Sequence, residues 1–190
     1  MVSVREGRWA GLLTALFLSA ALAQDADRLG ACAGCHGPDG NSRTPAVPSI
    51  AGQPKVFLEN YLVLTREGLR GSETMQKLLN GVPDREIVAL AAHFSKLPMK
   101  PEDGATDRAR FERGRRVAAK NHCGNCHRPD FRGQEQMPRL AGQREDFLIE
   151  AMLAYRQNRR PGGDTLMAAA LYGIAEADLK ALAHYLSRLR

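Results

Sequence analysis

Four cysteines fall into two pairs of one pattern, Cys32-Ala33-Gly34-Cys35-His36 and Cys123-Gly124-Asn125-Cys126-His127. Four chemistries use a Cys-x-x-Cys pair. A redox dithiol sits beside a strand in a βαβ unit, and no stretch of this chain keeps a strand period for long. A four-cysteine zinc site could combine both pairs. The long gap from Cys35 to Cys123, and a His directly after each pair, suit it poorly. Disulfides closing such short loops would stabilise little. Covalent attachment of c-type haem uses Cys-x-x-Cys-His as it stands. Two thiols about one helical turn apart can add to the two porphyrin vinyl groups. The adjacent His then lies under the iron as proximal ligand. The favoured reading is two haems c, on Cys32 and Cys35 and on Cys123 and Cys126, with His36 and His127 as iron ligands.

An iron that only carries electrons needs a sixth ligand. Met75 follows His36 by 39 residues and Met167 follows His127 by 40. A methionine is more often core filler than ligand, but these are the only two outside the N-terminal segment that recur in register. Met99, Met137 and Met152 have no such partner. His93, His122 and His184 are not duplicated either and read as partly exposed helix histidines. A ligating His usually donates its other ring N–H to an acceptor. The duplicated Pro48 and Pro138 offer carbonyls for that purpose, although ordinary loop prolines would look the same. Arg66 and Arg70 recur as Arg156 and Arg160. Their guanidinium groups suit haem propionates or an interdomain contact. Solvated charge at a helix end is the commoner explanation and stands slightly ahead.

The elements that must hold these residues are written twice. Residues 48–58 and 138–148 agree at 6 of 11 positions, including Ala51-Gly52-Gln53 against Ala141-Gly142-Gln143. Glu86–Leu97 matches Asp178–Leu189 at an offset of 92. A colinear series of this kind marks a tandem repeat. Ile87, Leu90, Ala91 and Phe94 share a helical face, as do Leu179, Leu182, Ala183 and Leu186. Asp84 and Glu176 are candidate first residues of those two helices. Val56–Glu67, Asp146–Gln157 and Arg108–Asn121 read as further helices, the last despite Gly114. Leu97-Pro98-Met99-Lys100-Pro101 is a linker by its prolines. The expected architecture is all-α: residues 24–100 and 101–190 as two domains of a few short helices each.

With 6% aromatic residues the core is thin for so small a protein, which points again to a bound group. A hydrophobic fraction of 44% with 25% charged residues excludes general disorder. Arg5 and Arg8 precede an uncharged run ending Ala21-Leu22-Ala23, so residues 1–23 read as a cleaved signal peptide. The formal charge is +6 overall, with +1 on Gln24–Pro101 and +4 on Glu102–Arg190. The second unit could therefore face an acidic partner. Export and the lack of basic–aromatic interleaving exclude nucleic acid.

The order CxxCHGxDG, PSIAGQ, an FLxxYL helix, GxR, Met75, then ALAAHFSxLP resembles the dihaem class I cytochromes c of the c-four type. The cytochrome subunit of flavocytochrome c sulfide dehydrogenase is similar in pattern. The second unit departs from it: Arg128-Pro129-Asp130-Phe131 follows His127 where the first has Gly-x-Asp-Gly. The resemblance implies a periplasmic electron carrier with two His–Met haems and domains packed about a pseudo-twofold, propionates inward. It implies a cytochrome bc complex or a dehydrogenase as donor and a terminal oxidase as acceptor, with membrane association only through these partners. It implies no catalysis. The alternatives are a bound electron-accepting subunit of a flavin or sulfur-compound dehydrogenase, and a dihaem enzyme such as a peroxidase, which would need one open iron.

Overall fold

The computed structural model describes residues 28–160 and 162–190. The expected signal peptide, 1–23, lies outside them. Helix α1 is described over 28–36, followed by α2 (Lys55–Arg66), α3 (Glu73–Leu79) and α4 (Asp84–Lys96). The second half repeats the set as α5 (Arg108–Lys120), the single turn α6 (Gly124–His127), α7 (Glu145–Arg156), α8 (Thr165–Leu171) and α9 (Glu176–Ser187). No strand occurs among the described residues, only an isolated bridge between Gln134 and Met137.

The periodic faces become cores. In α4, Ile87, Leu90, Ala91 and Phe94 are buried, and in α9 Leu179, Leu182, Ala183 and Leu186 are. Asp84 and Glu176 are the first residues of these helices, each after a residue with extended backbone. Acidic side chains there suit the positive end of the helix dipole. Leu58, Leu90, Ala91 and Phe94 form one cluster in the first half, with Leu79, Val82 and Ile87 beside it. The second half has its own cluster, built on Ala118, Leu148, Leu171, Leu179, Leu182 and Leu186. Each half thus buries its own apolar face.

Gly114 is the reason α5 and α9 can cross so closely. A Cβ at Gly114 would lie 2.6 Å from Tyr185 Cβ and would collide with the Ala181 carbonyl. Helix propensity is given up there for close backbone packing.

The linker lies between the halves. Met99 touches the space beside Gly52 and beside Gly142, two repeat-equivalent glycines with positive φ. Asn41 fixes the linker start: its Nδ2 donates to Pro98 O at 3.0 Å, and Lys100 N–H donates to its Oδ1 at 2.7 Å.

Candidate haem-binding sites

Helix α1 carries Cys32, Cys35 and His36 on consecutive turns, so the second thiol and the ring follow from the helical rise. In the second half the chain makes a turn at Asn121–Cys123 before α6 carries Cys126 and His127. No disulfide joins any of the four cysteines; Cys35 and Cys126 are exposed, Cys32 and Cys123 half-buried. Burial pushes the Cys32 and Cys123 thiols up, the opposite of what activates a redox dithiol. Among the described residues, no three His, Cys, Asp or Glu side chains gather as a metal cluster, so the two pairs are not joined as a zinc site.

Both histidines are buried and similarly held. His36 Nδ1 lies 2.8 Å from Pro48 O, and His127 Nδ1 lies 3.0 Å from Pro138 O. A carbonyl can only accept, so Nδ1 carries the proton and donates. Nε2 keeps its lone pair for a metal. Burial holds both rings below the usual His range, which favours the neutral ligand, while the proline carbonyl bond opposes that shift. The duplicated prolines are therefore acceptors and not merely loop residues.

The residue after each His has left-handed backbone: Gly37 at φ 85° and Arg128 at φ 70°. The next departure between the halves is compensated. Gly40 (φ 72°) and Phe131 (φ 56°) occupy the same place, each accepting from two backbone amides, Ile50 and Ala51 or Leu140 and Ala141. A Cβ on Gly40 would stand 3.2 Å from the ring of Phe94. In the second half Leu186 stands where Phe94 would, and the buried Phe131 ring fills the space, edge-on to Tyr185. The loss of the Gly-x-Asp-Gly pattern is thus a repacking.

Met75 and Met167 take the same position, the third residue of α3 and of α8. Ser72 accepts from Met75 N–H, and Asp164 accepts from Leu166 and Met167 N–H, so each helix starts just before its methionine. Met75 packs against the small first-half cluster and Met167 against the second-half core. Met152 is buried core, as its unduplicated position suggested.

Two sequence readings change. His184 is not a partly exposed helix histidine. It is 2% exposed, with Nδ1 2.8 Å from Glu145 Oε2 and Nε2 accepting from Asp107 N–H at 3.1 Å. It ties α9 to α7 and to the start of α5. His93 and His122 are exposed as expected, but His122 lies in the turn after α5, with φ 53°, and not in a helix. The four repeated arginines are not simple solvated charge either. Arg66 donates to Val82 O at 2.7 Å, and Arg156 donates to Ile174 O at 2.8 Å, so this pair anchors the turn before the last helix of each half. Arg70 lies over the Tyr61 ring at 5.0 Å, and Arg160 over the Tyr155 ring at 4.8 Å. Arg70 also donates to Tyr155 OH across the halves at 2.7 Å. Among the described residues the Nε of Arg70, Arg160 and Arg188 are buried without a partner, and the first two are repeat equivalents. An orphaned guanidinium donor in each half is what a carboxylate-bearing group would satisfy. The cysteine pairs outside any disulfide, the neutral oriented rings and the repeated Arg70 and Arg160 donors fit a haem in each half.

Residues 111–190 match the Cytochrome c family. A cytochrome c-552 of Acidithiobacillus ferridurans is 32% identical over 83% of this chain and 73% of its own. The cytochrome c4 of Pseudomonas aeruginosa is 29% identical over 83% of each. This chain belongs to the cytochrome c4-type dihaem cytochromes. The crystal structure of reduced recombinant cytochrome c4 from Pseudomonas stutzeri superposes with a TM-score of 0.77, covering 88% of this chain and 97% of that one at 27% identity. A thiosulfate dehydrogenase electron acceptor of Stutzerimonas stutzeri is 29% identical over 84% of this chain and 79% of its own. Like other c4-type proteins, this chain has the all-α class I fold and binds haem c covalently, with Cys32 and Cys35, and Cys123 and Cys126, fitting two attachment sites. It is an electron-transfer cytochrome, and its relatives include electron-accepting cytochromes of dehydrogenases.

Proposed function

We propose that this protein is a periplasmic carrier of single electrons with two six-coordinate haems. They stand in domains 24–100 and 101–190, behind a cleaved leader of residues 1–23. The iron ligands are His36 with Met75 and His127 with Met167. The observation that carries this reading is the pair of Nδ1–proline carbonyl bonds, which leave both Nε2 atoms free. Bound haem supplies a one-electron couple at each iron. The chain does the rest. The cysteines fix the macrocycle, and the proline carbonyls orient the rings and raise their basicity. The thioethers favour the ferrous state and raise the potential. Arg70 and Arg160 neutralise a propionate from each haem. With His36, Met75, His127 and Met167 holding the two irons, neither would be left open to a substrate, so we read the protein as a carrier and not as an enzyme. Donors of the cytochrome bc or dehydrogenase class and a terminal oxidase as acceptor suit such a carrier.

A second reading, an electron acceptor bound to a dehydrogenase, is favoured by one feature. Leu166 on α8 is 78% exposed and Tyr172, which follows α8, is 84% exposed. The equivalent first-half helix α3 carries Thr74 and Asn80 at those places. Co-purification with a larger protein through that face would select this reading.

The test is an optical redox titration of the purified protein with haem content and the far-red ferric sulfur–iron band recorded together. Two covalent haems, both with the band and both at positive potential, are expected. A haem lacking the band, or titrating far below the other, overturns the His–Met assignment at that iron. Met75→Ala and Met167→Ala should each remove half of the band and open one ferrous iron to carbon monoxide.

A further inference from the structure

The repeated Ala-Gly-Gln segments do more than mark the duplication. Gln53 and Gln143 are buried, 4% and 3% exposed, and each reaches into the opposite half. Ser49 N–H donates to Gln143 Oε1 at 2.8 Å, and Gln143 Nε2 donates back to Ser49 O at 2.8 Å. Arg139 N–H donates to Gln53 Oε1 at 2.9 Å, and Gln53 Nε2 donates to Arg139 O at 2.9 Å. Backbone on both sides fixes which end of each amide faces which group.

Ser49 N–H and Pro48 C=O belong to one peptide group, and so do Arg139 N–H and Pro138 C=O. Two continuous chains result. One runs from His36 Nδ1–H through the Pro48–Ser49 peptide to Gln143 Oε1. The other runs from His127 Nδ1–H through the Pro138–Arg139 peptide to Gln53 Oε1. Each ligand is thus connected to a glutamine of the other half. Hydrogen bonds in series polarise one another. A peptide whose N–H is engaged by an acceptor has a more negative carbonyl oxygen. That oxygen draws harder on the Nδ1 proton and raises the basicity of Nε2.

We propose that Gln53 and Gln143 are positioning residues that tune the proximal histidine of the opposite half, each lowering the potential of the haem it does not itself adjoin in sequence. The inference rests on His36 and His127 being the iron ligands. Gln143 Oε1 also accepts from Arg144 N–H at 2.9 Å, whereas Gln53 Oε1 serves one amide, so the pull on His127 is the stronger of the two.

The experiment uses the full haem-loaded protein. In the ferric wild type, strong hyperfine shifts of the His36 and His127 ring protons are expected. Ring protons without such shifts would overturn the ligand assignment, and the proposal with it, before any variant is made. The two potentials are then followed separately by NMR-resolved haem methyl signals. Gln143→Met should raise the potential of the haem on Cys32 and Cys35 and leave the other in place. Gln53→Met should do the reverse, with the larger shift. Both potentials moving together, a shift confined to the variant's own half, or no shift overturns the proposal. If the methionine variants fail to load haem, Gln143→Glu and Gln53→Glu keep an acceptor oxygen and should lower the potential in the opposite half. A glutamate variant without that crossed pattern overturns it as well.

Discussion

Asp39 lies three residues after His36, and Lys100 reaches it from the linker with an Nζ–Oδ2 distance of 2.7 Å. The Lys100 hydrogen bond, helped by Asn41, holds the Asp39 carboxyl down at about 2. A depressed carboxyl stabilises the fold in its ionised form. Its contribution is complete above the unfolded value near 3.8 and is lost as pH falls through about 2. Lys100→Gln should move the Asp39 titration up towards 3.8 in a carboxyl NMR series; a value still near 2 would assign the shift to the backbone turn instead. At this scale the cysteine pairs and their histidines were legible, because covalent attachment demands fixed residue types at fixed spacing. The proline acceptors were only half so, since a loop proline looks the same until the ring is seen against its carbonyl. Phe131 was not. Its role depends on Leu186 being smaller than Phe94 across a core, and no local pattern announces a ring moved from one chain position to another.

Among the elements, the crossing of α5 and α9 is the most constrained. Gly114 sits mid-helix, where alanine would ordinarily gain about 1 kcal/mol of propensity. Here the added methyl meets the Ala181 carbonyl and Tyr185 Cβ, and overpacking of that kind costs about 1–3 kcal/mol. Gly114→Ala should therefore lower the thermal midpoint of the haem-loaded protein; an unchanged or higher midpoint would mean that the helices separate without penalty. The helical periods of α4 and α9 were plain in the sequence because their apolar faces are continuous. His184 was misread for the same reason. It sits among the apolar residues of α9, but its partners Glu145 and Asp107 come from other elements. A one-helix pattern holds no information about them.

For the whole molecule, charge and amide contacts fasten one half to the other. Arg144, 9% exposed, donates to Ser42 O at 3.2 Å and pairs with Glu102 at 3.0 Å and Asp146 at 2.7 Å. Asp146 in turn accepts from Ala46 N–H at 3.0 Å. Arg144→Met keeps the bulk but leaves Glu102 and Asp146 without their cation and the Ser42 carbonyl without its donor. A loss of about 2 kcal/mol is expected from groups of that kind. It should appear in denaturant unfolding as a lower midpoint; an unaltered midpoint would make the clasp incidental. The repeat disclosed two halves, but the sequence could not show that its Gln residues serve the opposite half, since identical motifs look self-contained.

The glutamine contacts are self-complementary. Gln53 grips position 139, the equivalent of 49, while Gln143, the equivalent of 53, grips 49 itself. A single half therefore carries both the hand and the hold. Two identical copies could clasp each other with the same four bonds, each copy giving what it receives, as an isologous contact requires. The tandem chain thus carries within one molecule the reciprocal contact of a symmetric dimer, with Met99 of the linker lying between the two equivalent glycines.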